Sequence, residues 1–255
     1  MVPELLLPTP EGIAPLALHF APSRGRFWGT VLVYPGMGAA KEVQVKECRA
    51  LAEAGLLAVA VDAVGHGGRR WRDFEARMSS PQAHAHFLEM IDRSAREVPA
   101  ILDGLKALLG DATGRFGITG ISMGGFIAFA AAAHEPRLEV IVPVLGSPDW
   151  SVCARGDEAL LAHSPHRSPG AFAPRPLLAL NAGRDRNVPP EPTREFVEEL
   201  LRPLYSGELG SRLEYHEYPE SEHQMRPEDW EDLWGRVVSW MGRYLPAPIA
   251  IEPRL

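Results

Sequence analysis

The stretch that most constrains the fold lies at residues 115–126, where Ser122 stands in the pattern Gly-x-Ser-x-Gly. A short apolar run precedes it, and an alanine-rich run that favours helix follows it. The chain is therefore predicted to pass from a strand through a sharp turn into a helix, with the serine on the turn. Side chains at Gly120 and Gly124 would collide with the neighbouring strand and helix, so the turn requires glycine at both positions.

Apolar runs alternate with helix-like segments along the rest of the chain. Strands are predicted at 4–7, 13–20, 29–34, 56–62, the run before Ser122, 139–145, 177–182 and 212–218. Helices are predicted at 41–54, from about 80 to 109 with a kink or break at Pro99, after the serine turn, at 157–163, at 191–201 and at 227–244. Near-continuous apolar strands are typical of a parallel sheet with helices on both faces. We therefore predict an α/β fold with about eight strands, the first two forming a hairpin.

Composition fits one domain. The 255 residues are 45% hydrophobic, which is enough for a sizeable core, and no repeat or linker interrupts them, so we predict a single domain over 1–255. Two segments of weak periodicity, 63–81 and 146–176, are predicted insertions over the rim of the sheet. The net charge of −7 argues against nucleic-acid binding, which needs a basic face.

Localisation and redox chemistry are also constrained by composition. No apolar run is long enough to span a membrane, and the first residues do not resemble a signal peptide, so we expect a cytoplasmic protein with no membrane partner. Cys48 and Cys153 are not part of a Cys-x-x-Cys motif, and nothing in the sequence indicates a disulfide between them. The sequence leaves the oligomeric state open, monomer or homodimer.

A serine hydroxyl needs a base to become a nucleophile, and the base needs an orienting carboxylate. In a parallel sheet such groups should follow the carboxyl ends of strands. Asp185 follows the strand at 177–182, and His223 follows the strand at 212–218. The order serine, aspartate, histidine matches one fold family whose serine turn is a nucleophile elbow. Alone, Asp185 could simply cap its own turn and His223 could be a solvated loop residue.

Other polar residues are alternatives. Asp149 also follows a strand and is the rival for the acid role, whereas Glu220 and Glu222 are too close to His223 in sequence to orient its ring. His66 also lies in a loop at a strand end, where the resemblance to a known fold family implies a structural role. No metal site is predicted, because the pairs of nearby histidines face different sides of a helix or have no third ligand at a suitable spacing; they are His84 with His86 and His163 with His166.

An oxyanion hole needs two backbone N–H groups. One should come from Met123, at the start of the helix that follows the serine. The other should come from the loop after the strand at 29–34, where Met37 stands between two glycines that let the backbone approach a substrate.

These stretches together resemble an α/β-hydrolase from about residue 29 to 244, and are most similar to bacterial carboxylesterases of the dienelactone-hydrolase and prolyl-oligopeptidase-like branch. The matching motifs are 33–38, 62–67, 120–125, 183–189 and 222–223. The resemblance implies an α/β-hydrolase fold with no large cap domain, a small-molecule ester substrate, and hydrolysis through an acyl-enzyme without metal or organic cofactor. It assigns Ser122 as nucleophile, where dienelactone hydrolases proper carry cysteine, His223 as base and Asp185 as acid. The family's usual His-Gly in the oxyanion loop is here Pro35-Gly36.

The substrate pocket is harder to predict. Trp71, Phe74 and Trp150 are candidates for its walls, together with the methionines Met37, Met78 and Met123, because small-ligand sites are mostly apolar. The arginines Arg69, Arg70 and Arg72 would attract an anionic substrate, but a solvated loop face explains them as well. Thioesters and small peptides are alternative substrates for the same three catalytic residues.

A different class of function is also possible. Residues 36–41 follow a strand and open a helix, and Asp62 ends the next strand, as in a dinucleotide-binding fingerprint of an NAD-linked oxidoreductase. Lys41 replaces the third glycine of that fingerprint. This hypothesis leaves the serine turn, Asp185 and His223 unexplained.

Overall fold

The computed structural model describes residues 2–21, 27–152 and 158–246. Eight strands form one sheet in the spatial order β1-β2-β4-β3-β5-β6-β7-β8. The strands are β1 (Glu4–Thr9), β2 (Gly12–His19), β3 (Gly29–Tyr34), β4 (Leu57–Val61), β5 (Arg115–Ile121), β6 (Leu138–Val144), β7 (Leu177–Ala182) and β8 (Leu213–Tyr218).

The sheet is mostly parallel, as predicted. β1 and β2 form the antiparallel opening hairpin, and β2 runs antiparallel to β4. All other neighbours, from β4 through β8, are parallel. The carboxyl ends of β3, β5, β7 and β8 therefore meet at one edge of the sheet, which is where the predicted polar residues follow their strands.

Helices cover both faces of the sheet. They are α1 (Val45–Glu53), α2 (Phe74–Met78), α3 (Ala83–Leu109), α4 (Met123–His134), α5 (Glu158–Leu161), α6 (Glu191–Glu195, continued by a wider π turn at Phe196–Leu201) and α7 (Pro227–Tyr244). One buried cluster joins one face of the sheet to α3, α4 and the π turn. A second cluster joins the opposite face to α1 and α7. This two-sided burial confirms the predicted α/β fold class and explains the continuous apolar strands.

Three helix predictions differ in detail from the structure. α3 continues through Pro99 without a break, because the proline removes one donor from a 27-residue helix whose face is held by the core. The predicted helix at 41–54 begins as a 3₁₀ turn, Lys41–Gln44. The predicted helix at 157–163 is shorter, Glu158–Leu161, and residue 157 lies outside the described residues.

The described residues bear on two expectations drawn from composition, one about the cysteines and one about membrane-spanning segments. Cys48 is a buried free thiol, and burial raises its pKa to about 12, whereas Cys153 lies outside the described residues. Within the described ranges, none of the helices combines the length and apolar character needed to cross a membrane.

Candidate active site

Ser122 occupies the turn between β5 and α4 with a backbone φ of 56°, in the left-handed region that non-glycine residues rarely adopt. Its N–H donates to the carbonyl oxygen of Val144 on β6 at 2.9 Å, and its own carbonyl accepts from the N–H of Gly125 at 2.8 Å. A side chain at Gly120 would overlap the backbone of Gly124, and one at Gly124 would overlap the carbonyl of Tyr34. The strained serine turn therefore depends on glycine at both positions.

Replacing Gly124 with alanine is expected to destabilise the fold by about 1–3 kcal/mol, because the new methyl group has only rigid backbone around it. Gly235 is the matched control. It lies exposed inside α7 with no atom within 4 Å of an added Cβ, so Gly235→Ala should stabilise the protein by about 0.5–1 kcal/mol. Urea denaturation of both variants measures the two effects, and a neutral Gly124→Ala would contradict the steric requirement.

The structure brings Ser122, His223 and Asp185 together. Nε2 of His223 lies 3.0 Å from Oγ of Ser122, and Nδ1 of the same ring lies 2.6 Å from Oδ2 of Asp185. A carboxylate only accepts hydrogen bonds, so Nδ1 carries the proton and Nε2 presents its lone pair to the serine hydroxyl. This is the tautomer that a general base needs.

The carboxylate of Asp185 is held from both sides. Its Oδ1 accepts from the backbone N–H groups of Asn187 at 2.8 Å and Val188 at 2.9 Å, while Oδ2 faces His223. The residue as a whole is 4% exposed, and its side chain is fully buried. Asp185 thus caps its own turn and also contacts the imidazole of His223, so the turn-capping interpretation does not exclude the predicted acid role.

The loop after β3 lies beside the serine. The N–H of Ala39 donates to the carbonyl of Gly36 at 3.2 Å, and Gly38 has a φ of 80°, which describes a tight turn with Met37 at its first corner. The turn's own hydrogen bond does not use the Met37 N–H. A Cβ added to Gly36 would lie 3.8 Å from Cβ of Ser122, so the turn is adjacent to the nucleophile candidate. Met123 is the first residue of α4, where the helix supplies no acceptor for its N–H.

Ser122 and His223 open into a cleft of about 780 Å³. Its other lining residues come mainly from the β3 loop and from the segments around the starts of α1, α3 and α7; they are Gly36, Met37, Ala39, Val43, Gln44, Met78, Ala83, His84, Phe87, Ile121, Leu145, Val152, Asn187, Val188, Gln224, Met225 and Trp230. Among these described lining residues there is no lysine, arginine, aspartate or glutamate. The site can therefore hold a small, largely apolar and uncharged molecule against a serine–histidine pair.

A protein-family model of the dienelactone hydrolase family matches residues 16–245. The chain belongs to the dienelactone hydrolase family. This confirms the resemblance to the α/β-hydrolases that the motifs indicated. Membership of this family makes the chain a hydrolase that acts on ester bonds.

Named relatives of this family member are similar over most of its length. A Methylorubrum extorquens protein named "Putative carboxymethylenebutenolidase" is 25% identical over 258 residues, covering 94% of this chain and 80% of that protein. A Bacillus subtilis protein named "Putative esterase YitV" is 26% identical over 240 residues, covering 85% of this chain and 91% of that protein. The crystal structure of TT1662 from Thermus thermophilus has a TM-score of 0.75 at 21% identity, covering 97% of this chain and all of that one, and shows the shared fold.

The three aromatic residues predicted to line the pocket of this dienelactone hydrolase family member lie elsewhere. Trp150 is fully buried in the core, and Phe74 is 6% exposed and packs edge-on against His66. Trp71 lies beneath the guanidinium of Arg77, 4.6 Å from the ring centre, and against Gly65. Aromatic character alone did not distinguish core from pocket. Of the methionines, Met37 and Met78 do line the cleft, whereas Met123 is buried below it.

The residues that sequence analysis missed lie near helix starts. Val43 and Gln44 precede α1, Ala83, His84 and Phe87 form the first turns of α3, and Met225 and Trp230 flank the start of α7. A helix that follows a parallel strand begins at the carboxyl edge of the sheet, so its first turn faces the site. That rule is the sequence signal that could have identified these lining residues. From the two predicted insertions, the described residues that reach the cleft are Met78 and Val152.

Asp149, the rival for the acid role, contacts residues other than His223. Asp149 accepts from the N–H of Ser151 at 2.9 Å and lies 3.4 Å from Nδ1 of His166. Among the residues described, no group of three or more histidine, cysteine, aspartate or glutamate side chains is arranged to hold a metal ion.

The carboxylate that would bind a dinucleotide ribose is already occupied. Asp62 is fully buried and accepts from the N–H groups of Lys41 at 2.8 Å and Gly68 at 2.9 Å. Its side chain also leaves no room for a Cβ at Gly67. Asp62 therefore ties two loops together, which disfavours the NAD-linked alternative.

His66 is structural in this family member. It is fully buried, donates its Nδ1 proton to the carbonyl of Val64 at 3.0 Å, and has a pKa held below its ordinary value of 6.5, mainly by burial. Burial lowers the pKa of His19, His134 and His216 in the same direction.

The free energy of unfolding is expected to fall as the pH drops below 6.5, because the unfolded chain then binds protons that the folded histidines do not. This part of the stability is complete above pH 6.5 and is lost on going down toward the lowered folded pKa. Chemical denaturation at about pH 7.5 and about pH 5.5 should give a smaller difference for His66→Gln than for wild type. Equal differences would show that His66 contributes nothing to the acid sensitivity.

Proposed function

We propose that this protein is a serine esterase that hydrolyses small carboxylic esters through an acyl-enzyme intermediate. The observation that carries the proposal is the imidazole of His223, which contacts Ser122 on one side and Asp185 on the other inside an apolar cleft. Ser122 is the nucleophile, His223 the general base and Asp185 the residue that orients and stabilises the imidazolium.

In the first half-reaction, Oγ of Ser122 attacks the ester carbonyl while Nε2 of His223 takes its proton. The carbonyl oxygen becomes an oxyanion, which the N–H groups of Met37 and Met123 stabilise. The tetrahedral intermediate collapses, the bond to the alcohol oxygen breaks, and His223 donates its proton to the leaving alcohol. Asp185 remains a carboxylate throughout.

In the second half-reaction, His223 takes a proton from water as the water oxygen attacks the acyl carbonyl. The second tetrahedral intermediate collapses, the bond from the acyl carbon to Oγ breaks, and the proton returns to Ser122. The products are a carboxylic acid and an alcohol. Every proton in this cycle moves through Nε2, the ring nitrogen that faces the serine.

The family and the cleft support an ester substrate of modest size. Relatives carry the names carboxymethylenebutenolidase and esterase, and the lining residues are mostly apolar. Hydrolysis of p-nitrophenyl esters from acetate to laurate tests the activity, and its chain-length profile measures the acyl pocket. Matched thioesters and short peptides distinguish the alternative substrates. A folded sample that hydrolyses none of these compounds and resists labelling by a fluorophosphonate would exclude the serine esterase.

A further inference from the structure

Trp230 separates the cleft from a second hollow on the surface, and it is the residue that the described walls of the two hollows share. The indole N–H of Trp230 donates to Oε1 of Glu47 on α1 at 3.3 Å, and its ring packs edge-on against Trp234, with 5.9 Å between the ring centres. The ring is thus held between α7 and α1. The second hollow is a groove of about 420 Å³, and its other lining residues are Lys46, Glu47, Ala50, Glu231, Trp234, Gly235 and Val238.

The cleft has one arm on each face of the sheet. Phe87, from α3, lines the cleft and packs against the core cluster that joins α3 and α4 to one face. Met225 and Trp230 line the cleft and pack against the cluster that joins α1 and α7 to the opposite face. Ser122 stands at the sheet edge between the two arms. Because Ser122 attacks the carbonyl that joins the two parts of an ester, one part extends toward α3 and the other toward α7.

The position of His223 decides which part of the ester enters which arm. In the proposed acylation step, Nε2 of His223 gives its proton to the oxygen of the leaving alcohol, so that oxygen must lie within hydrogen-bond distance of Nε2. The loop that holds His223 is tied to the start of α7, since Oγ of Ser221 donates to Asp229 at 2.6 Å and accepts from the N–H of Arg226 at 3.2 Å. The alcohol therefore leaves on the α7 side, where Trp230 is a wall of the cleft.

We propose that Trp230 is a specificity-determining residue that closes the alcohol arm of the cleft and limits the length of the alcohol. Val43, Met225 and Trp230 give this arm an apolar surface, and Val43 is 64% exposed at its rim. Such a surface suits an alcohol with an unbranched alkyl chain. This inference rests on the proposed esterase function and assigns the alcohol side of that site.

The test uses isomeric esters that carry one long chain on opposite sides of the ester group. Octyl acetate and ethyl octanoate have the same molecular formula, so they differ in which arm must take the long chain. In Trp230→Ala the alcohol arm opens into the groove, and burial of about two more methylene groups there is enough for about a tenfold gain. The ratio of kcat/KM for octyl acetate to kcat/KM for ethyl octanoate should therefore rise about tenfold or more, as measured by acid release in a pH-stat.

Two further variants support the comparison. Trp230→Leu fills part of the space and keeps a good helix former in α7, so its ratio should rise less than that of Trp230→Ala, and it provides the test if the alanine variant does not fold. Trp28→Ala is the matched control. Trp28 is 49% exposed and lies immediately before β3, at the opposite edge of the sheet, so this substitution should leave the ratio unchanged.

The possible failures are distinguishable. If wild type hydrolyses both esters and the ratio is unchanged in the Trp230 variants, or falls because ethyl octanoate is turned over faster, the Trp230 assignment alone is overturned. Hydrolysis of p-nitrophenyl acetate but of neither isomer would retain the esterase and contradict an arm for alkyl alcohols. If none of the three esters is hydrolysed, the esterase function is contradicted and the alcohol arm with it.

Discussion

Replacing Ser122 with alanine is expected to lower kcat for ester hydrolysis by about 10⁵- to 10⁶-fold. In the proposed mechanism the alanine removes the oxygen that forms the acyl-enzyme. Ser122 is the sole serine, threonine or cysteine among the described residues that line the cleft. His223 would then have no nucleophile to deprotonate except water, which lacks the fixed 3.0 Å approach to Nε2. Steady-state rates with p-nitrophenyl esters, beside the rate without protein, measure the loss.

The fold of Ser122→Ala should be retained, which makes the kinetic loss interpretable. Alanine has the same Cβ as serine, so it meets the same strain at a φ of 56°, and the glycines around the turn are unchanged. Circular dichroism and the Tm should match those of wild type. Turnover within tenfold of wild type in a well-folded variant would show that Ser122 is not the nucleophile, and labelling by a fluorophosphonate would then locate the residue that is.

The serine turn was predictable because few residues satisfy its geometry. When a strand passes into a helix through a serine with a left-handed backbone conformation, glycine is needed two residues before and two residues after the serine. The sequence Gly120-Ile-Ser-Met-Gly124 has glycine at both positions. The proximity of Asp185 and His223 to Ser122 was predictable for a different reason. Each follows a parallel strand, and parallel strands bring their carboxyl ends to one edge, so that residues far apart in sequence come within hydrogen-bond distance.

The walls of the cleft could not be predicted in the same way. An aromatic side chain is equally suited to a hydrophobic core and to a pocket wall, and Trp150 and Phe74 lie in the core. Whether a residue such as Phe87 or Trp230 faces the cleft depends on where its helix begins relative to the sheet edge, and that position is uncertain by a residue or more in any sequence prediction. A helix turns by about 100° per residue, so such an error changes the face on which a side chain lies.

Asp185→Asn is expected to lower kcat by about 10⁴-fold while the protein remains folded. The structure gives the reason. Oδ1 of Asp185 accepts two backbone hydrogen bonds, from Asn187 and Val188, so the asparagine oxygen must take that position. Its NH₂ group then faces Nδ1 of His223 and donates to it. The ring proton is thereby forced onto Nε2, and the imidazole can no longer accept the proton of Ser122.

The same substitution at Asp149 is the matched control, because Asp149 also follows a strand and was the rival for the acid role. Asp149 lies 3.4 Å from His166, and its loop bond to Ser151 can be kept by an asparagine oxygen, so kcat of Asp149→Asn should remain within about twofold of wild type. Added imidazole should not restore the activity of Asp185→Asn, because the ring of His223 still occupies the position in the cleft that free imidazole would need. The opposite result, a damaging Asp149→Asn and a mild Asp185→Asn, would contradict the assignment of Asp185. The carboxylate that orients His223 during turnover would then not be Asp185, which lies 2.6 Å from Nδ1 of that ring. The ring would have to move toward β6 before reaction.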